Sequence, residues 1–277
     1  DDSDTSGDNL TYTVSQTTFD CDDLYTGSNN YSLSLNGGNQ QVLLNASNSQ
    51  MGIMNASFSV STWVKRNDFI ANDQGILSNY GCRLHLNIRS NKPYLGFCGN
   101  DLSGSTSLNA GEWYHLAFVY NASTRTQSIY VNGNLDAESP NHAVLNEGPS
   151  LNMGTYGGSG NGLNGKIDEM SIWNSALSII EVNNIMNDSP VGSESGLLGF
   201  WNFEDGAGTT ITDLTGRFNG TLTNISNSTG AWSSDVSPAN GGVVGNEVTL
   251  TVTDAKGNFS TATANVTVED SIDPTIA

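Results

Sequence analysis

Apolar residues in this chain recur at every second position in short runs, and each run stops at a cluster of Gly, Asn, Asp or Ser. A period of two is the period of a β-strand, whose side chains point alternately to opposite faces; a helix of 3.6 residues per turn cannot bury that pattern on one side. The runs Phe58–Arg66, Arg83–Arg89, Trp113–Tyr120 and Ser128–Gly133 show it most plainly. Many such strands at short spacing predict an all-β antiparallel sandwich. One segment breaks the period. Ser178 and Glu181 stand at the two ends of a capping box, Leu177 and Val182 occupy the staple positions, and together they predict one short helix.

At 277 residues the chain has room for one large domain, or for one domain with a small companion. Its 28 acidic residues outnumber nine basic ones and leave a formal charge of −19, which repels phosphate backbones, so no nucleic acid is expected among its partners. No apolar run reaches the length of a membrane span, so no membrane insertion is expected. The opening Asp1–Asp8 has no charged and apolar leader; the expectation is a piece of a longer protein whose secretion signal is removed or lies elsewhere. Cys82 and Cys98 flank the turn signal Asn91–Pro93 at hairpin spacing, which predicts a disulfide between them and an oxidising compartment. Two thiols in a reducing cytosol are the other reading. Cys21 is left over.

The strings Ser57–Arg66, Gly111–Asn121 with Gln127–Ala137, Asn164–Ser178 and Gly196–Leu222 resemble, in that order, the laminin-G-like, concanavalin-A-like jelly-roll modules of secreted proteins. The resemblance covers about residues 30–236 and implies two antiparallel sheets packed face to face. In many relatives the string here at Trp201–Gly216 opens the domain. In this chain it closes it, and the fold then requires that it pair into the same sheet from the other end.

The two ends of the chain resemble something else. Asn246–Asp270 alternates Val248, Leu250 and Val252, turns at Asp254–Gly257 and returns with Ala262, Ala264 and Val266, which predicts a β-hairpin. It is similar to the last strands of hyalin-repeat or immunoglobulin-like modules of bacterial surface adhesins, in which a string like Thr11–Leu24 comes shortly before. The resemblance implies an immunoglobulin-like β-sandwich split by an inserted jelly roll: residues 1–27 and 240–277 for the host, 28–239 for the guest. Thr17–Cys21 is expected in one small sandwich with Val248–Val252, and Gly27–Asn30 and Val236–Gly242 are expected as paired linkers. Related repeats often carry a cysteine near the position of Ala262, so the resemblance leaves Cys21 free and buried.

Enzymatic signals are scarce. Two-carboxylate glycanases of this shape need alternating acids on one strand face, whereas Asp168 and Glu169 are adjacent and point to opposite faces. No nucleophile elbow, zinc motif or phosphate loop occurs, and His85, His115 and His142 are scattered. Resemblance to the laminin-G-like family implies a Ca2+ site at Asp213 and Asn219, with Asp168 as a third donor; an Asx turn at Asp213 is the other reading. Asp270 and Asp273 resemble acidic linkers that calcium stiffens, or are simply solvated. Strand alternation places Arg83, His85 and Asn87 together with Arg89 on one face, either as a polar ligand surface or as a solvated charged face. The expected function is a non-catalytic secreted or cell-surface module of bacterial type, flanked by neighbouring repeats, that recognises a glycan or a surface partner. A ligand-free spacer and an accessory carbohydrate-binding module of a polysaccharide-degrading enzyme are the alternatives.

Overall fold

A computed structural model describes residues 11–14, 25–26, 29–68, 73–81, 83–156, 161–225, 228–239, 243–244, 246–253 and 259–266. The chain divides into two compact units, Asp1–Gly27 with Gly242–Ala277, and Ser28–Gly241. Thr17–Cys21, Cys82, the turn Asp254–Gly257, Asp270 and Asp273 lie outside the described residues.

The larger unit is a sandwich of two eight-stranded antiparallel sheets. The first sheet runs Asn134–Ser139, Thr126–Val131, Trp113–Asn121, Phe58–Arg66, Asn164–Trp173, Ser32–Asn36, Trp232–Ser233, with Leu197–Trp201 paired to the far half of Asn164–Trp173. The second runs Thr210–Ile211, Gly220–Thr223, Gln41–Leu43, Leu151–Met153, Gln74–Asn79, His85–Arg89, Lys92–Gly96, Asp101–Ser103. Alternation decides which residues meet between them. Phe58, Val60 and Val64, Leu116 and Phe118, and Ile167, Met170 and Ile172 face Val42, Leu77, Leu86, Ile88, Leu95 and Met153 in one buried core. Burial of this apolar surface holds the layers together.

The closing string does not stay in one sheet as the sequence suggested. Leu197–Trp201 pairs in the first sheet, while Thr210–Ile211 and Gly220–Thr223 form the edge of the second. The string turns the corner between the layers, and so seals one side of the sandwich.

In Asn164–Trp173 the acidic pair is accommodated by a bulge. Asp168 faces Trp63 and Ser171 faces Ser61, so Glu169 and Met170 together oppose Thr62. Glu169 takes a left-handed backbone, φ 50°. The extra residue restores the phase, and Met170 rather than Glu169 enters the core.

The helix Ile179–Asn187 starts where its box predicts: the Ser178 hydroxyl accepts from Glu181 N, and the Glu181 carboxylate accepts from Ser178 N at 2.7 Å. Val182 and Leu177 are buried with Ala117, Trp173, Leu197 and Phe200, so the helix covers part of the outer face of the first sheet. A second, four-residue helix, Asn48–Met51, has its own box from Ser47 and Gln50. Among the described residues no helix is long and apolar enough to cross a membrane.

In the smaller unit Thr11–Val14 pairs with Leu250–Thr253, and Asn246–Thr253 pairs with Phe259–Val266. In the register Tyr12 stands opposite Val252, Val14 and Ala262 opposite Leu250, and Ala264 opposite Val248; Leu250 is 38% exposed. A short ladder joins Val243–Val244 to Tyr25–Thr26.

Candidate functional site

The face of the second sheet turned away from the core carries a polar and aromatic cluster. On His85–Arg89, Leu86 and Ile88 enter the core and His85, Asn87 and Arg89 take the other face; on Lys92–Gly96, Leu95 enters the core and Tyr94 joins them. Ser90 and Asn91, at φ 49° and 65°, make the two-residue turn between the strands. The turn is one residue earlier than Asn91–Pro93, because Lys92 and Pro93 belong to the ladder.

His85 is held between two tyrosines. Its ring stacks on Tyr156 at 5.0 Å and on Tyr94 at 5.8 Å, and Nε2 lies 3.8 Å from Asp101. Burial lowers its pKa, against the pull of Asp101. Asp101 also accepts from the Tyr94 hydroxyl at 3.0 Å and from the backbone of Phe97, Gly99 and Asn100. Burial, then this bond, pushes the Tyr94 phenol up to about 12. Cys98, which is disulfide-bonded, stands in the same turn.

Arg89 is fixed twice. Nε and Nη2 donate to the two oxygens of Asp73 at 2.7 and 2.6 Å, and the guanidinium carbon lies 3.9 Å from the centre of the Tyr94 ring. The Asp73 hydrogen bonds raise its pKa further. Such a bidentate pair leaves the planar cation little freedom. With Arg89, Tyr94 and Tyr156 partly exposed, the face offers aromatic rings and oriented donors to a polar ring-shaped ligand.

The sequence placed Arg83, His85 and Asn87 on one surface. Arg83 is exposed but precedes the strand, whereas His85 and Asn87 lie on the outward face and are buried to 1% and 0% exposure. The cause is the segment at Thr155–Tyr156. It packs so closely on Gly75, the ladder partner of Asn87, that a Cβ there would collide with its backbone. Both amide atoms of Asn87 have no hydrogen-bond partner. Tyr94, Tyr156, Asp73 and Asp101 escaped the sequence reading. Alternation on Lys92–Gly96 would have found Tyr94, but nothing local signals Tyr156 in its Gly-rich surroundings.

The residues named for Ca2+ fall into two separate hydrogen-bond networks. Asp213 Oδ1 accepts from Phe200 N and Thr215 N, and Oδ2 from Thr215 Oγ1, Arg217 N and Phe218 N, all at 2.7–3.1 Å. Asn219 Oδ1 accepts from Asp213 N at 2.9 Å. These two residues are together, but their oxygens are already committed to donors, as in the Asx-turn reading. Asp168 belongs to a different network, accepting from Ser237 N, Asn29 Nδ2 and Glu169 N. Its burial raises the carboxyl pKa to about 7, against the pull of those hydrogen bonds. Among the described residues no group of three or more His, Cys, Asp or Glu is placed to hold a metal.

The chain is similar to several known proteins. Human pentraxin-related protein PTX3 is 28% identical over 145 residues, covering 46% of this chain and 38% of that protein. The chain therefore spans well under half the length of that relative. A solved Bacteroides ovatus protein, described as carbohydrate binding, superposes with a TM-score of 0.61 at 19% identity, over 76% of this chain and 61% of that one. The CBM40 of the Ruminococcus gnavus IT-sialidase, solved bound to α2,3 sialyllactose, gives a TM-score of 0.48 at 15% identity, over 57% and 99%. The family model of the concanavalin A-like lectin/glucanases matches residues 36–183, more than half of the chain. The chain belongs to the concanavalin A-like lectin/glucanases superfamily.

Proposed function

We propose that the larger unit is a non-catalytic glycan-binding module of an extracellular protein, and that the Arg89, Tyr94 and Tyr156 face of the second sheet is where the glycan docks. The observation that carries this reading is the preorganised platform: a guanidinium locked by Asp73 over the Tyr94 ring, and two aromatic rings flanking His85. Sugars present apolar ring faces and hydroxyl edges, and aromatic faces beside fixed donors answer both. The likeness in fold to a Bacteroides ovatus protein described as carbohydrate binding supports it. No catalytic carboxylate pair enters the proposal, since Asp168 and Glu169 are buried on the other sheet.

In this reading Asp213 and Asn219 order a loop, and calcium is not needed. Insertion into an immunoglobulin-like repeat of a surface adhesin is a further part of the proposal. It is supported by the pairing of Thr11–Val14 with Leu250–Thr253. A Cys82–Cys98 disulfide, with Cys21 free, belongs to it as well. A glycan array probed with the chain and with Tyr94→Ala, each with and without EDTA, tests the function. Binding by the chain alone, insensitive to EDTA, is the expected result. Equal signals from both proteins would reject the face, no signal would favour a ligand-free spacer, and loss in EDTA would reinstate calcium.

A further inference from the structure

The first sheet carries a polar cleft of about 360 Å³ at the ends of three neighbouring strands, lined by Ser34, Asn36, Gln40, Asn67 and Asn164. The ladder brings these residues together: Asn164 pairs with Asn36, and Lys166 with both Ser34 and Lys65. The volume falls within the range of small-molecule pockets. Four carboxamides and one hydroxyl give it no net charge.

Hydrogen bonds fix which way each amide is turned. Asp68 Oδ2 accepts only, so at 2.6 Å Asn164 presents Nδ2 to it; Asn164 Oδ1 then accepts from Asn67 Nδ2 at 3.1 Å. Asn67 Oδ1 is left over as an acceptor. Gln40 Oε1 accepts from Asn36 N at 3.0 Å, which leaves Gln40 Nε2 as a donor. Asn36 Oδ1 accepts from Gly38 N at 3.1 Å, which leaves Asn36 Nδ2 as a second donor. The Ser34 hydroxyl either gives or takes. Among the described residues, no aromatic ring and one apolar side chain, Leu35, line the cleft.

From this set of two free donors, one free acceptor and one hydroxyl, we infer that the cleft is a second saccharide site, which takes the adjacent hydroxyls of an uncharged sugar. A hydroxyl both donates and accepts, so a neighbouring pair satisfies the set without an ion. Peptide side chains would find little apolar surface, and an anion would find no cation among the described lining residues, the Lys65 and Lys166 side chains being drawn to Asp235 at 2.9 and 3.0 Å. The inference rests on the reading of the chain as a glycan-binding module but concerns a different sheet. Asp68 acts as a positioning residue, turning Asn164 and through it Asn67.

The test is a titration of the full chain with methyl α-D-mannopyranoside and methyl α-D-galactopyranoside, followed through the side-chain amide signals of Asn36 and Gln40 in ¹H–¹⁵N correlation spectra. A saturating shift with at least one sugar is expected, weakened about tenfold in Asn67→Ala. Asp68→Asn, which frees the Asn164 amide to flip, should weaken it while leaving backbone signals elsewhere in place. Tyr94→Ala should leave the shift intact. No saturating shift with either sugar, an unchanged affinity in Asn67→Ala, or loss of the shift in Tyr94→Ala would each overturn the inference. Binding in the cleft with no glycan response at Tyr94 would uphold the cleft and reject the other face.

Discussion

Gly96 stands across the ladder from His85, and a Cβ on it would collide with the imidazole ring. The histidine lies flat between Tyr94 and Tyr156 only because its ladder partner has no side chain. Gly96→Ala should therefore cost about 1–3 kcal/mol of stability through overpacking. His85→Ala on the same background should return most of it, as urea denaturation of the four members of the cycle will measure. A double variant no more stable than Gly96→Ala alone would place the strain elsewhere.

Tyr94 gives the platform two separable contributions. Tyr94→Phe keeps the ring under Arg89 and loses the bond to Asp101, at about 1 kcal/mol in stability. Tyr94→Ala loses the ring as well. The Phe variant should keep its glycan signal, while the Ala variant should lose it, with melting temperatures reporting whether both remain folded.

Asp213 takes five donors, four of them backbone amides of one corner of the fold. Asp213→Ala leaves these amides without their acceptor, for a loss of about 3 kcal/mol or more. The loss should be the same in EDTA and in excess calcium. A loss seen with calcium alone would make Asp213 a ligand of the ion.

Two buried groups give stability opposite pH dependences. Burial holds His115 at about 3, below its ordinary 6.5, so its contribution is complete above pH 6.5 and is lost as pH falls toward 3. Asp168 is raised from 3.8 to about 7, so its contribution is complete below pH 3.8 and is lost as pH rises through 7. Between about pH 4 and 6.5 the slopes oppose, each at most about 1.4 kcal/mol per pH unit. Relative to the parent, His115→Gln should steepen the decline with rising pH in that window, and Asp168→Asn should lessen it. Denaturation midpoints across the window give the signs directly.

What could be read from the sequence was whatever depends on local period. The strand runs around Phe58 and Trp113 and the helix start at Ser178 are written in alternation and in a box of four residues, and the fold uses them as written. The box at Ser47 was equally legible, but its helix is a single turn. The site was half legible. Alternation put His85, Asn87 and Arg89 on one face, yet their burial comes from Thr155 and Tyr156, about 70 positions away, which no local pattern announces. The residues expected to hold calcium show a related effect. Oxygens that look free in a string of letters are saturated once Phe200 and Phe218 are folded against Asp213.

Near the two ends of the larger unit, Asn29 Nδ2 donates to Ser237 Oγ and to the Ser237 carbonyl at 3.1 and 3.2 Å, and both residues bind Asp168. Two positions before Ser237, Asp235 is tied to Lys65, Lys166 and Trp113 on three strands of the first sheet. The module is thus a loop of chain fastened at its own neck. Tension applied across residues 29 and 237 is expected to load these bonds and, through Asp168 and Asp235, the first sheet to which they are tied. None of these bonds reaches the second sheet, so a ligand held there is expected to stay on a less stretched surface while the chain around it is pulled.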